Sequence, residues 1–151
     1  MIGRSNFSEK FPMLPSAAVC FAVLAAVLPG CDVQGQAPKE QLQDWCAGWG
    51  NVAQDVQISA CTTIIKSGQY DAWGLHIAYF HRGFSYYETV RFAPCVADLT
   101  QSVRLEPNDA DAYWLRHLCK KEMGDRAGAD TDRKMAKQID RAIEDQWEAG
   151  P

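Results

Sequence analysis

Residues 76–109 read HIAYFHRGFSYYETVRFAPCVADLTQSVRLEPND, and moved along the chain by 34 positions they fall on a second copy of their own pattern. Ala78 and Tyr79 meet Ala112 and Tyr113, Arg82 meets Arg116, Glu88 meets Glu122, Ala93 meets Ala127 and Asp98 meets Asp132. A fixed internal period of this length points to tandem supersecondary units that bury their apolar faces only by stacking on one another. Outward from this stretch, helical pieces alternate with turn signals. Residues 55–67 place Val56, Ile58, Cys61, Ile64 and Ile65 near helical spacing, with Gly68 as the stop. After a loop containing Gly74, a helix is expected over 75–89, and another over 93–105 with Pro94 tolerated in its first turn. Glu106-Pro107-Asn108-Asp109 breaks the chain before a helix over 110–123, and Gly124-Asp125 turns it into a last helix running from 126 toward 147. No alternating strand pattern competes, so the fold class is all-α.

Within the quoted stretch the first helix carries Tyr79, Arg82, Gly83 and Tyr86, the second Cys95, Leu99 and Ser102, and Pro107 closes the unit. This spacing resembles the tetratricopeptide family, whose helix pairs repeat at the same period. Small residues at Gly83, Cys95 and Ser102 let neighbouring helices approach, while Tyr79, Tyr86 and Leu99 fill the space between them. The second unit, 110–141, keeps Tyr113, Arg116, Ala129 and Ala136 but has His117 for the glycine, Lys120 for the second aromatic and Arg141 for the proline. Such departures suit a terminal capping repeat with a polar outer face. The resemblance therefore implies an antiparallel helix-pair α-solenoid of about two and a half repeats. Its parts are a half repeat over 55–67, a full repeat over 76–109, a capping repeat over 110–141 and a helical extension, together spanning 55–148.

The N-terminus has another character. Arg4 and Lys10 precede an uncharged run, SAAVCFAVLAAVL, which ends at Pro29-Gly30. Basic start, apolar middle and breaker are the layout of a secretory signal over 1–30, and the run is shorter than the roughly 20 residues that span a membrane. Leu28-Pro29-Gly30-Cys31 resembles a lipoprotein signal apart from Pro29, so Cys31 is either lipidated or lost to cleavage a little downstream. Residues 31–54 form a linker and N-terminal segment. Removal of 1–30 leaves 13 basic and 18 acidic residues, a net of −5, which argues against nucleic acid as a partner. A composition of 47% hydrophobic and 23% charged residues is that of an ordinary globular chain.

Cys46, Cys61, Cys95 and Cys119 remain in the mature part, and an even number in an exported chain favours two disulfides with three connectivities open. The resemblance selects among them. Cys95 and Cys119 fall on helices that pack side by side in the family, and a Cys46–Cys61 bond ties the N-terminal segment to the half repeat. Cys46 and the run Ile58-Ser59-Ala60-Cys61-Thr62 are also similar to the opening of short exported repeat proteins of Gram-negative bacteria, so the expected location is the periplasm or the envelope. No C-x-x-C pair or ligand-spaced His/Cys set occurs, so neither metal nor cofactor is expected.

In the family the first helix of each repeat lines a concave groove. By position this implies Ile77, Phe80, Phe84 and Tyr87 from one repeat and Trp114, Leu118 and Lys121 from the next. Phe80, Phe84, Trp114 and Leu115 depart from the Lys, Asn and Arg set that grips a C-terminal carboxylate in some members. An aromatic groove suits a peptide or helix of a partner protein. The competing occupant is the chain itself, through Trp45 and Trp49 or through Trp147. His76 and His81, five residues apart, do not share a helical face, and structural roles are expected for both and for His117. The recurring Arg82, Asp98, Arg116 and Asp132 are expected as solvated ion pairs. The functional expectation is a non-catalytic protein-interaction module of the periplasm or envelope. Its rivals are a self-associating structural envelope protein or lipoprotein and a thiol–disulfide exchange protein.

Overall fold

The computed structural model describes residues 37–149, so the signal-like segment and Cys31 lie outside the described residues. Among the described residues seven helices follow one another: α1 (Lys39–Cys46), α2 (Gln54–Ser67), α3 (Ala72–Glu88), α4 (Phe92–Leu105), α5 (Ala110–Glu122), α6 (Arg126–Ile139) and α7 (Ile143–Ala149). Among the described residues there is no strand, and the protein is all-helical. No described helix is long and apolar enough to cross a membrane.

Each helix from α1 to α6 packs on the next. On α3 and α4, His76 meets Ser102, Gly83 meets Leu99 and Tyr87 meets Phe92, so positions fall on one helix as they rise on the other. Gly83 suits this close contact. A Cβ there would stand 3.0 Å from Leu99 Cγ and 3.2 Å from its Cδ2. The apolar centre comprises Cys95, Leu99, Val103, Ala112, Leu115 and Cys119, drawn from α4 and α5.

Both disulfides join the cysteines that the family resemblance paired. Cys46–Cys61 spans 4.7 Å between Cα atoms and holds α1 on α2, and Cys95–Cys119 spans 6.4 Å and ties α4 to α5. The four cysteines are at most 2% exposed. Beside the first bond, buried Gln57 donates from Nε2 to the Cys46 carbonyl at 2.9 Å and so satisfies the C-terminal end of α1.

Three boundaries differ from the sequence reading. Part of the segment expected as a linker is α1, whose Leu42, Trp45 and Cys46 pack on Ala60, Cys61, Ile64 and Ala78. α3 begins at Ala72 and not near 75, because the Asp71 carboxylate accepts from Gly74 N at 2.8 Å and caps the helix there. Gly74 is therefore first-turn helix and not loop. The expected last helix is two: α6 ends at Ile139, and Asp140 takes extended backbone and accepts from Ala142 N and Gln146 Nε2, both at 2.9 Å. An aspartate with donors on its C-terminal side favours a helix start over a helix interior.

The recurring arginines and aspartates also differ from expectation. Arg82 on α3 forks onto both Asp98 oxygens at 2.7 and 2.8 Å, and Arg116 on α5 forks onto Asp132 at 2.8 and 2.6 Å. These are buried pairs and not solvated ones, since the Asp98 and Asp132 side chains are only 8% and 2% exposed. Each arginine also reaches back to the preceding helix, Arg82 to Thr62 Oγ1 and Arg116 to Thr100 Oγ1. Each lies near the face of a tyrosine three positions earlier, Tyr79 or Tyr113. One arginine thus holds three consecutive helices, and the arrangement occurs twice.

Candidate functional site

The spacing of α3 generates the site. Trp73, Ile77, Phe80, Phe84 and Tyr87 follow at intervals of four, three, four and three residues and so form one apolar stripe along the helix. Three adjoining cavities lie along this stripe. Trp73, Ile77 and Phe80 line the first, of about 440 Å³, together with His76, His81, Glu106, Asn108, Asp109 and Asp111. Phe80 and Phe84 line the second, of about 690 Å³, with Ala47, Val52, Gln54, Asp111 and Trp147 among its other walls. Phe84 and Tyr87 line the third, of about 730 Å³, with Trp114, Leu118, Lys121 and Trp147.

All seven residues expected to face the groove line one or another of these cavities. Their exposure differs sharply. Trp114 is only 5% exposed and packs with Ala110, Ala136 and Ile143, so its ring belongs chiefly to the core between α5, α6 and α7. Lys121 is exposed, and Ile77, Phe80, Phe84, Tyr87 and Leu118 are half-buried.

Helix α7 supplies one occupant from the chain itself. The Trp147 ring lies 6.5 Å from that of Phe84 between centroids, and its Nε1–H donates to Asp111 Oδ1 at 2.8 Å. Ile143 anchors the helix in the small cluster with Trp114, and Glu144 accepts from Arg133 and Lys137. Of the two other tryptophans weighed as fillers, Trp45 packs on the Cys46–Cys61 cluster and Trp49 is exposed. The C-terminal half of the stripe is therefore covered, Phe84 by Trp147 and Tyr87 by Phe92. Toward the N-terminal end Phe80 is half-buried and packs in part on the cluster of Cys95, Leu99 and Leu115, and the first residue of the stripe, Trp73, is 60% exposed.

Trp73 was absent from the residues expected in the groove, because a helix begun at 75 excludes it. The signal was Asp71, an N-cap residue three positions before Gly74.

A buried polar chain lies under the open half. His76 Nδ1 stands 3.0 Å from Ser102 Oγ and 3.3 Å from the Ser102 carbonyl, and His76 Nε2 stands 3.3 Å from Asp109 Oδ2. Ser, His and Asp invite comparison with a nucleophile triad, but Ser102 is completely buried and its hydroxyl presents nothing to a substrate. Here the three residues tie α3, the end of α4 and the start of α5. Asp109 also caps α5 by accepting from Ala112 N at 3.1 Å. Nothing in the sequence spacing announces this chain.

Burial pushes the Asp109 carboxyl above the ordinary carboxylate range, opposed by its bond from Ala112. Burial, and next the nearby His76, push His81 below the ordinary histidine value. His76 and His81 both line the first cavity, the one buried against Ser102 and the other half-exposed. His117 is lowered as well, first by burial and then by Arg133 and Lys121, against the raising effect of its Nδ1 bond to the Ala129 carbonyl at 3.0 Å. Since a carbonyl only accepts, His117 carries its proton on Nδ1 there.

Among the described residues no group of three His, Cys, Asp or Glu side chains is placed to hold a metal ion. No protein-family model matches the chain, and no curated protein matches it.

Proposed function

We propose that the chain is an exported protein-interaction module of the tetratricopeptide type, which holds a peptide or helix of a partner against α3. The observation that carries this reading is the stripe from Trp73 to Phe80. It presents Trp73, which is 60% exposed, and the half-buried Phe80 along cavities of about 440 and 690 Å³. Three further features support it. The Tyr–Arg–Asp clamp recurs at a spacing of 34 residues with the same bidentate geometry. Gly83 admits Leu99 at close range, as a helix-pair repeat requires. Two buried disulfides favour an oxidising compartment, in keeping with the signal-like N-terminus, and buried sulfurs are poorly placed for exchange with a client.

Panning a random peptide library displayed on phage over the oxidised protein tests the reading. Enriched peptides are expected to lose binding to a Phe80→Ala protein that is still folded at the assay temperature. An absence of enrichment, or peptides indifferent to Phe80, contradicts it. Intact mass of protein recovered from cells tests export separately. Loss of about 30 residues, or lipid on Cys31, is the expected result, and a full-length chain is the contrary one.

A further inference from the structure

The two cavities along the open half of the stripe share a charge pattern that says what kind of partner fits them. Their ionisable walls are Glu106, Asp109, Asp111, His76 and His81, with no lysine or arginine among the lining residues. The covered half differs, since Lys121, Arg126 and Arg133 there mingle with acidic groups. Each carboxylate of the open half has a hydrogen-bond donor but no Lys or Arg partner among the described residues. Asp111 accepts from the Trp147 indole at 2.8 Å, Glu106 from Asn108 N at 3.2 Å, and Asp109 from Ala112 N while it faces His76. Negative charge thus stands at the edge of an apolar cleft without a cation. At the mouth stands the exposed Trp73 indole, 5.2 Å from the His76 ring. An indole face beside carboxylates is a setting that attracts an ammonium or guanidinium group from both sides.

Building on the proposed binding role, we propose that the cleft between the start of α3 and the α4–α5 turn takes a lysine or arginine side chain of a partner segment, between Trp73 and Asp111. An apolar side chain beside it enters the adjoining cavity at Phe80. The partner is accordingly a short basic and apolar segment of a protein, the opposite in charge of a free carboxylate terminus.

Fluorescence anisotropy on the oxidised full chain tests this, with a labelled peptide of alternating lysine and leucine and a counterpart in which glutamate replaces every lysine. The lysine peptide is expected to bind at least about tenfold more tightly than the glutamate peptide. Trp73→Ala and Asp111→Asn, both at exposed positions, should each weaken the lysine peptide about threefold to tenfold. Added salt should weaken it further in the parent than in Asp111→Asn. Equal or tighter binding of the glutamate peptide overturns the charge assignment and leaves binding at α3 standing. Lysine-peptide binding indifferent to both substitutions is general attraction to an acidic surface and overturns it too. Failure of both peptides, together with an unenriched phage library, overturns the binding role itself.

Discussion

The two halves of α3 are built from the same spacing of large apolar residues and meet opposite fates. Phe84 and Tyr87 have the rings of Trp147 and Phe92 beside them, while among the described residues Phe80 has only that of His81 and Trp73 stands 60% exposed. What separates the halves is not the helix but what returns to it. The chain after Asp140 turns back as α7, whose Trp147 reaches Phe84, Asp111 and the cavity at Phe80 but not the one at Trp73. An apolar stripe marks where contact is possible, and the connectivity elsewhere decides which part of it becomes core.

The largest effect should come from the clamp that holds both halves in place. Asp98→Ala leaves the Arg82 guanidinium buried without its partner and should cost about 3–5 kcal/mol. Urea unfolding measures this, and a change below about 1 kcal/mol would mean that the pair is effectively solvated. Next, Ile143→Ala removes the anchor of α7 and should cost toward the lower end of about 2–5 kcal/mol, because a short terminal helix can fray. Hydrogen exchange should show amides of α7 losing protection while those of α3 keep theirs. If α3 loses protection equally, the covered half depends on α7 for its fold and the comparison fails.

Acidification acts on both halves, through His81 beside the open one and His117 beside the covered one. Burial lowers both pKa values, so the folded protein binds fewer protons than the unfolded chain below about pH 6.5. This contribution to stability is fully present above that pH and is lost as pH falls through the folded values. Asp109 acts in the opposite sense. Its raised pKa contributes stability below about pH 3.9, lost as pH rises through its folded value. Denaturant midpoints should fall between about pH 6.5 and about pH 5, and a flat profile there would contradict the burial of the histidines. The smallest effect on stability belongs to Trp73→Ala, within about 0.5 kcal/mol, because the side chain is largely in solvent. A clear loss of stability would place Trp73 in the fold and not at a binding surface.

Much of this was legible because repeats write the same physics twice. Tyr79, Arg82 and Asp98 match Tyr113, Arg116 and Asp132 in the sequence alone, and Gly83 marks the close approach to Leu99. The resemblance built on those positions also paired the four cysteines as the structure pairs them. Burial of the Arg–Asp pairs was not legible, since a charge pattern gives partners but not the helices that cover them. The helix break at Asp140 was hidden by flanking residues that favour helix on both sides. A glycine at 74 suggests a loop and so hides Trp73, although Asp71 caps a turn that begins earlier. The chain from Ser102 through His76 to Asp109 joins residues of three helices, and no local pattern encodes such a meeting.

Nuclear magnetic resonance of the oxidised, labelled protein titrated with the lysine–leucine peptide tests the central claim most directly, namely that the open half of α3 is where a partner sits. The account predicts shifts of the Trp73 indole N–H and of the amides of Ile77, Phe80 and Asp111, with those on the outer side of α6, such as Lys134, unmoved. Shifts gathered on α6, or spread evenly over the acidic surface, would contradict it.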